Sequence, residues 1–267
     1  MDHSLLADGV SPLHAGLSVV IFALSALIGG ISGFGFSGLA ASTFWVLPSD
    51  MVVPLMMALS VANQLVSFMQ VREEISPLRD WWPAGPAPYI LGGLVGVPVG
   101  VEILHILPKT GLLISFGALL TGYSLYSLRK PDSLRITHGG GWRSACLIGA
   151  LGGMIGGFTA FPGAAVVVWC GLRGMQKSAS RAIIQPYIII MQVVAVSLVA
   201  LMRPTTFDNR FWLTLPVELP FVVIGSSIGV RLYKKLSNAH YHRITLCMLV
   251  VSGVGIGLKG LLALWRP

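Results

Sequence analysis

The chain has 267 residues, of which 54% are hydrophobic and only 10% charged, whereas a soluble domain carries about 25% charged residues. A chain so poor in charge could not cover its own core with polar surface, which excludes an ordinary soluble enzyme. The formal charge of +8 does not point to nucleic acid, because the basic residues cluster between apolar segments as the positive-inside rule expects and no basic groove with interleaved aromatics is visible.

A bilayer core of about 30 Å calls for about 20 apolar residues per helix. On that ruler the chain reads in order as helical segments at 14–31, 36–47, 51–70, 84–104, 110–128, 143–157, 161–171, 182–202, 211–230 and 244–262. The first thirty residues hold Asp2 and Asp8 but no Lys or Arg, so the first segment reads as a retained membrane helix rather than a cleavable signal peptide. Cys146, Cys170 and Cys247 lie in or beside apolar runs without metal-ligand spacing, which makes them buried apolar side chains.

The short segments form two pairs, 14–31 with 36–47 and 143–157 with 161–171, each joined by a Gly-rich break. Laid together, Gly29 matches Gly153, Gly33-Phe34 matches Gly157-Phe158, and Phe36-Ser37-Gly38 matches Phe161-Pro162-Gly163. The match continues with Gln64 on Gln192, Trp82 on Trp212, Pro86 on Pro216, and Gly96 and Gly100-Val101 on Gly225 and Gly229-Val230. Such a collinear set predicts an internal duplication: residues 1–130, a cytoplasmic linker at 131–142, and residues 143–267.

Loop charge indicates how the halves are oriented. If each broken pair enters and returns, thirteen of the 18 Lys and Arg residues fall on one side; if each pair crosses once, the split is eight against ten and the bias vanishes. The expected fold is therefore an all-α integral membrane protein of two inverted-topology repeats. Each repeat is a Gly-broken helical hairpin plus three transmembrane helices, with both termini on the outer face.

In transporters built this way, substrates bind near the midplane where discontinuous helices meet. The candidate binding residues are Ser32, Gly33, Phe34, Gly35, Phe36, Ser37 and Gly38 in the first break, and Gly156, Gly157, Phe158, Thr159, Phe161, Pro162 and Gly163 in the second. Glycine lets the chain reverse and brings backbone N–H groups close to a ligand. Pro162 suits a first helical position, Ser32, Ser37 and Thr159 offer hydroxyls, and the phenylalanines offer apolar walls. A small oxyanion is the natural guest; glycines that merely allow close helix packing are the plainer alternative.

Asn63 and Gln64, with Ser67, form one polar station inside the membrane segments, and Gln185 and Gln192 form its counterpart. They read either as ligands or as interhelical hydrogen bonds. Arg181 reads as a cytoplasmic topology anchor or as a ligand for an anion. Glu218, in Leu215-Pro-Val-Glu-Leu-Pro-Phe221, is an isolated intramembrane acid and hence a proton-coupling candidate, or an interface acid neutralised by Arg210. Glu102, His105 and Lys109 read as headgroup contacts, and His138 as a solvated loop residue.

The motifs GGISGFGFSG (29–38) and GGMIGGFTAFPG (152–163), set in about 260 residues of apolar segments, resemble the TauE/SafE sulfite exporter family, which includes 4-toluene sulfonate uptake permeases. On the family signature fall Gly30, Gly33, Gly35 and Gly38, and Gly153, Gly156, Gly157 and Gly163. Phe34, Phe36 and Ser37 interrupt the run of glycines followed by proline that other members carry. The resemblance implies a secondary transporter of sulfite, sulfonates or sulfoacetate in a bacterial cytoplasmic membrane, coupled to protons. Its partners would be the small anion and the lipid bilayer, with a homodimer compatible and neither cofactor, metal nor nucleic acid called for. A passive anion channel remains the alternative; a membrane-embedded enzyme would need convergent catalytic groups, such as an HExxH motif, that the sequence lacks.

Overall fold

The computed structural model describes residues 11–75, 77–106, 109–129, 136, 140–159, 161–202 and 207–264, and every regular element among them is helical. Most of the expected linker, His138 included, lies outside the described residues. The helices are α1 (Pro12–Ser32), α2 (Phe36–Ala40), α3 (Ser49–Gln70), α4 (Ala87–Ile106), α5 (Lys109–Arg129), α6 (Trp142–Thr159), α7 (Ala164–Leu172), α8 (Lys177–Met202), α9 (Asn209–Lys235) and α10 (Asn238–Leu264). Four stretches, in α1, α8, α9 and α10, are long and apolar enough to cross a membrane. This is an all-α membrane architecture.

Local signals set the ends of α1. The Ser11 side chain accepts a hydrogen bond from the His14 N–H, Pro12 occupies the first turn, and Gly33 closes the helix in the left-handed region at φ 84°, a geometry that favours glycine over residues bearing a Cβ. Prolines 54, 98, 186, 216 and 220 lie inside helices, which neighbouring helices tolerate in a membrane. Helices α8, α9 and α10 overrun their apolar segments by more than a turn, and α8 starts at Lys177 rather than 182. There the Lys177 ammonium donates to the Tyr233 and Leu236 carbonyls at the end of α9, so the polar flank is held in the fold. Arg181 consequently sits inside the helix, in its second turn.

The contact registers give the running directions. Ser18 of α1 meets Glu218 of α9, and Gly30 faces Ser226, Gly229 and Val230, so α1 and α9 are parallel. The start of α3, at Met51, Val52 and Leu55, clusters with Phe211, and Val71 just past its end clusters with Val230 and Tyr233. Helix α3 therefore runs the same way, and the chain between α1 and α3 doubles back. It does so as a hairpin in which Phe36 of α2 stacks on Phe22 of α1, ring centroids 6.2 Å apart.

Between the halves, Gly96 and Gly100 of α4 press on Ala150 and Met154 of α6, making these two parallel, and the chain turns back into α7 with Pro162, which precedes the helix rather than opening it, against Gly152 and Gly156. Helix α3 is antiparallel to α8 through Ser60–Gln192 and Ser67–Arg181, and α5 to α10 through Gly117 and Thr121 against Gly257 and Gly253. The pairings exchange when the halves are swapped: α1 packs on α9 as α6 packs on α4. Gly225 and Gly229 meet Ala23 and Leu27 of α1 as Gly96 and Gly100 meet α6. Glycine at these positions lets two backbones touch, and dispersion replaces the hydrophobic drive that lipid cannot supply.

Candidate functional site

The first break is closed by its own groups. The Gly33 N–H donates to Gly29 O at 2.7 Å, while the Ser32 hydroxyl donates to Ile28 O and accepts from the Gly35 N–H, each at 2.9 Å. Ser32 and the first N–H groups of the loop thus hold the turn, rather than standing open to a guest as the sequence suggested. The carbonyls left free at the end of α1 are taken by three other helices. Arg181 of α8 donates to Gly30 O at 2.8 Å, Tyr241 of α10 to Ser32 O at 3.0 Å, and Gln64 of α3 to Gly33 O at 3.0 Å.

Arg181 is fully buried. Besides Gly30 it donates to Ser67 Oγ at 2.6 Å and Gln185 Oε1 at 3.0 Å, and its guanidinium lies 4.0 Å from the centre of the Tyr233 ring. Tyr233 in turn donates its hydroxyl to Glu74. The ion pairs Arg79–Asp80 and Arg210–Asp208 do not involve Arg181. Its guanidinium faces the negative end of the α1 dipole and the Tyr233 ring face. A guanidinium without exposure cannot contact lipid headgroups, so the anchor reading of Arg181 gives way to an interior one.

The two breaks meet. Phe34 and Phe161 lie 6.0 Å apart between ring centroids, and Gly163 faces Phe34 and Ile188. Beside them is a cavity of about 20 Å³ whose lining includes Ser37, Ser60, Gly156, Pro162, Met191 and Gln192. Gln192 donates to Ser60 Oγ, while its carbonyl oxygen, that of Gln64, and both amide atoms of Asn63 have no protein partner. Most buried polar groups in folded proteins are paired; of these amides Gln192 lines the cavity, and Asn63 and Gln64 are not among its lining residues. The space is that of a single water molecule, and a larger anion requires the flanking helices to part.

The remaining candidates are dispersed. Gly157 is half-buried next to the cavity-lining Gly156, and the side chains of Phe158 and Thr159 lie outside the described residues. Phe36 belongs to the apolar cluster around Phe22, Gly38 makes room for Ser252 of α10, and a Cβ at Gly35 would crowd Ile28 and Ser32; these three serve packing. Glu218 is buried and accepts from the Ser18 hydroxyl at 2.6 Å, its second oxygen unpartnered. Arg210 pairs with Asp208 instead. Ser18 lies twelve residues, or about 18 Å of helix, before Gly30, so this acid is remote from the breaks.

Three residues at the site escape a reading of the sequence. Ser60 had a signal, since Ser60, Asn63, Gln64 and Ser67 recur at helical spacing. Tyr233 and Tyr241 had none, because they stand among basic juxtamembrane residues that read as surface.

No curated protein and no solved structure matches the chain. The family model described as Sulfite exporter TauE/SafE matches residues 17–256, a span that contains both breaks, the buried Arg181 network and Glu218, and the chain belongs to that family of membrane transporters.

Proposed function

We propose that the chain is a proton-coupled carrier of small sulfur-containing anions, such as sulfite, sulfonates or sulfoacetate, across a bacterial inner membrane, with the anion held between the two Gly-rich breaks. The observation that carries this reading is the convergence of both breaks on one small cavity, lined by Ser37 of the first, Gly156 and Pro162 of the second, and the buried Gln192. The positive interior supplied by Arg181 supports an anionic guest. A cavity of about 20 Å³ fits an occluded carrier better than an open channel.

The carrier reading includes an inverted duplication of residues 1–130 and 143–267 with both termini on the outer face. The parallel pairs α1–α9 and α4–α6 and the antiparallel pairs α3–α8 and α5–α10 support it, since a two-fold axis in the membrane plane produces this pattern. Under this topology Arg181 lies toward the cytoplasmic side and Glu218 toward the outer side, and Glu218 is the coupling acid.

A thermal-stability screen of purified protein against sulfite, short sulfonates, other oxyanions and carboxylates tests the site. Stabilisation by a sulfur anion, abolished in a folded Gly33→Leu or Gly157→Leu variant, is the expected result. A panel without any shift overturns the assignment. Proteoliposome flux that saturates and follows an imposed pH gradient separates a carrier from a channel.

A further inference from the structure

A second, much larger cavity of about 530 Å³ opens between the ends of α5 and α7 and the starts of α8 and α10. Its volume lies in the range of small-molecule sites, while the space between the breaks is that of one water. The polar part of its lining includes Ser180, Tyr241, His242, Arg243 and Thr245, and no Asp or Glu lines it among the described residues. Val167, Ile184 and Leu246 give it an apolar wall. A chamber with this lining suits an anion that carries a short organic body.

Its inner wall is what separates it from the first break. Tyr241 is 5% exposed, donates its hydroxyl to Ser32 O, and packs edge-on against Tyr233 with centroids 5.5 Å apart. Tyr233 carries the Arg181 guanidinium on its ring, and Ser180, which lines the chamber, directly precedes Arg181. The buried cation therefore stands just behind the wall, and a low-dielectric cleft focuses such a field.

We propose that this chamber is an anion vestibule, distinct from the space between the breaks, and that Tyr241 is the barrier an organic anion must displace to reach Gly33. The proposal rests on the reading of the chain as an anion carrier, and its test is independent of transport. In protein with Cys146, Cys170 and Cys247 replaced by alanine, Thr245→Cys, with Ser180→Cys as a second reporter, is exposed to two thiosulfonate reagents. One is the anionic sulfonatoethyl reagent and the other the cationic trimethylammonioethyl reagent, and each rate is divided by that with free cysteine. The anionic reagent gains at least about tenfold, benzenesulfonate slows it, and Arg243→Gln reduces the preference.

For the barrier, the reporter is Gln64→Cys, whose native side chain reaches Gly33 O. It is inert to the anionic reagent when Tyr241 is present and reactive in Tyr241→Ala. Equal normalised rates, a preference for the cation, or a Gln64→Cys thiol indifferent to Tyr241→Ala overturns the proposal. A vestibule that passes these tests in a protein that no sulfur anion stabilises leaves the vestibule standing and removes the transport reading. Transport without anion preference removes the vestibule alone.

Discussion

Gly30 and Gly33 stand one turn apart at the end of α1, yet the structure assigns them different physical roles, and substitution separates the two. At Gly33 the backbone has φ 84°, and an added Cβ would lie 3.8 Å and 3.9 Å from Arg181 atoms, which is ordinary contact. The cost of Gly33→Ala is therefore conformational, about 1–2 kcal/mol for a left-handed residue with a Cβ. Gly33→Asn should cost less, because Asn tolerates that region, and Gly33→Val more, because it is β-branched. At Gly30 a methyl would meet Gly229 Cα at 3.0 Å and Val230 N at 3.1 Å, besides the Ser226 carbonyl. These are backbone atoms of α9 that cannot rotate aside. Overpacking of this kind costs about 1–3 kcal/mol, and asparagine at position 30 offers no relief. Thermal unfolding in detergent, with and without a stabilising anion, gives both series. Equal harm from Gly33→Asn and Gly33→Val, or a neutral Gly30→Ala, would refute the division into a conformational and a packing glycine.

Arg181→Lys keeps the charge but loses the planar fork that reaches Gly30, Ser67 and Gln185 together. It should lower stability by about 1–3 kcal/mol, seen as a reduced melting temperature, and an unchanged value would mean that the network is not cooperative. Glu218→Gln should impair flux driven by a pH gradient more than anion binding, and intact proton-driven transport in that variant removes Glu218 from the coupling path. Asp208 caps α9, and the Phe211 N–H followed by Arg210 holds its carboxylate below the usual range. Its stabilisation is present above the unfolded value of about 3.9 and is lost as the pH falls through the lower folded value. Asp208→Ala should thus cost about 0.5–2 kcal/mol near neutral pH, and the difference from the parent should shrink in acid; a gap independent of pH would count against the cap.

Helix stacking explains why the glycines in α4 and α9 weigh as much as those in the breaks. Gly92, Gly96 and Gly100 let α4 lie against α6, and Gly225 and Gly229 let α9 lie against α1. Each break is thereby fastened to a helix of the other half. Movement that widens the small cavity must carry these pairs as units or slide one along the other.

The membrane class, the helical segments and the two Gly-rich breaks are determined by the sequence alone. Low charge and runs of apolar residues leave no soluble alternative, and the glycine clusters mark where the chain turns back, at Gly33 and around Pro162, although Gly152, Gly153, Gly156 and Gly157 themselves lie within α6. Residues such as Gly33 and Gln64 were legible for the same reason, since a flexible backbone or an amide within lipid needs a partner. What those partners are was decided by tertiary structure. Arg181 reads as a topology anchor or as a ligand for an anion, and helix α8, starting at Lys177, buries it beneath the carbonyl end of α1. Tyr233 and Tyr241 read as juxtamembrane residues, and they come to lie against the Arg181 guanidinium and the Ser32 carbonyl because α9 and α10 extend beyond their apolar spans. Phe36 and Gly38 look like ligands in the motif and prove to be packing, since a turn of chain does not reveal which face meets the core until neighbouring helices are in place.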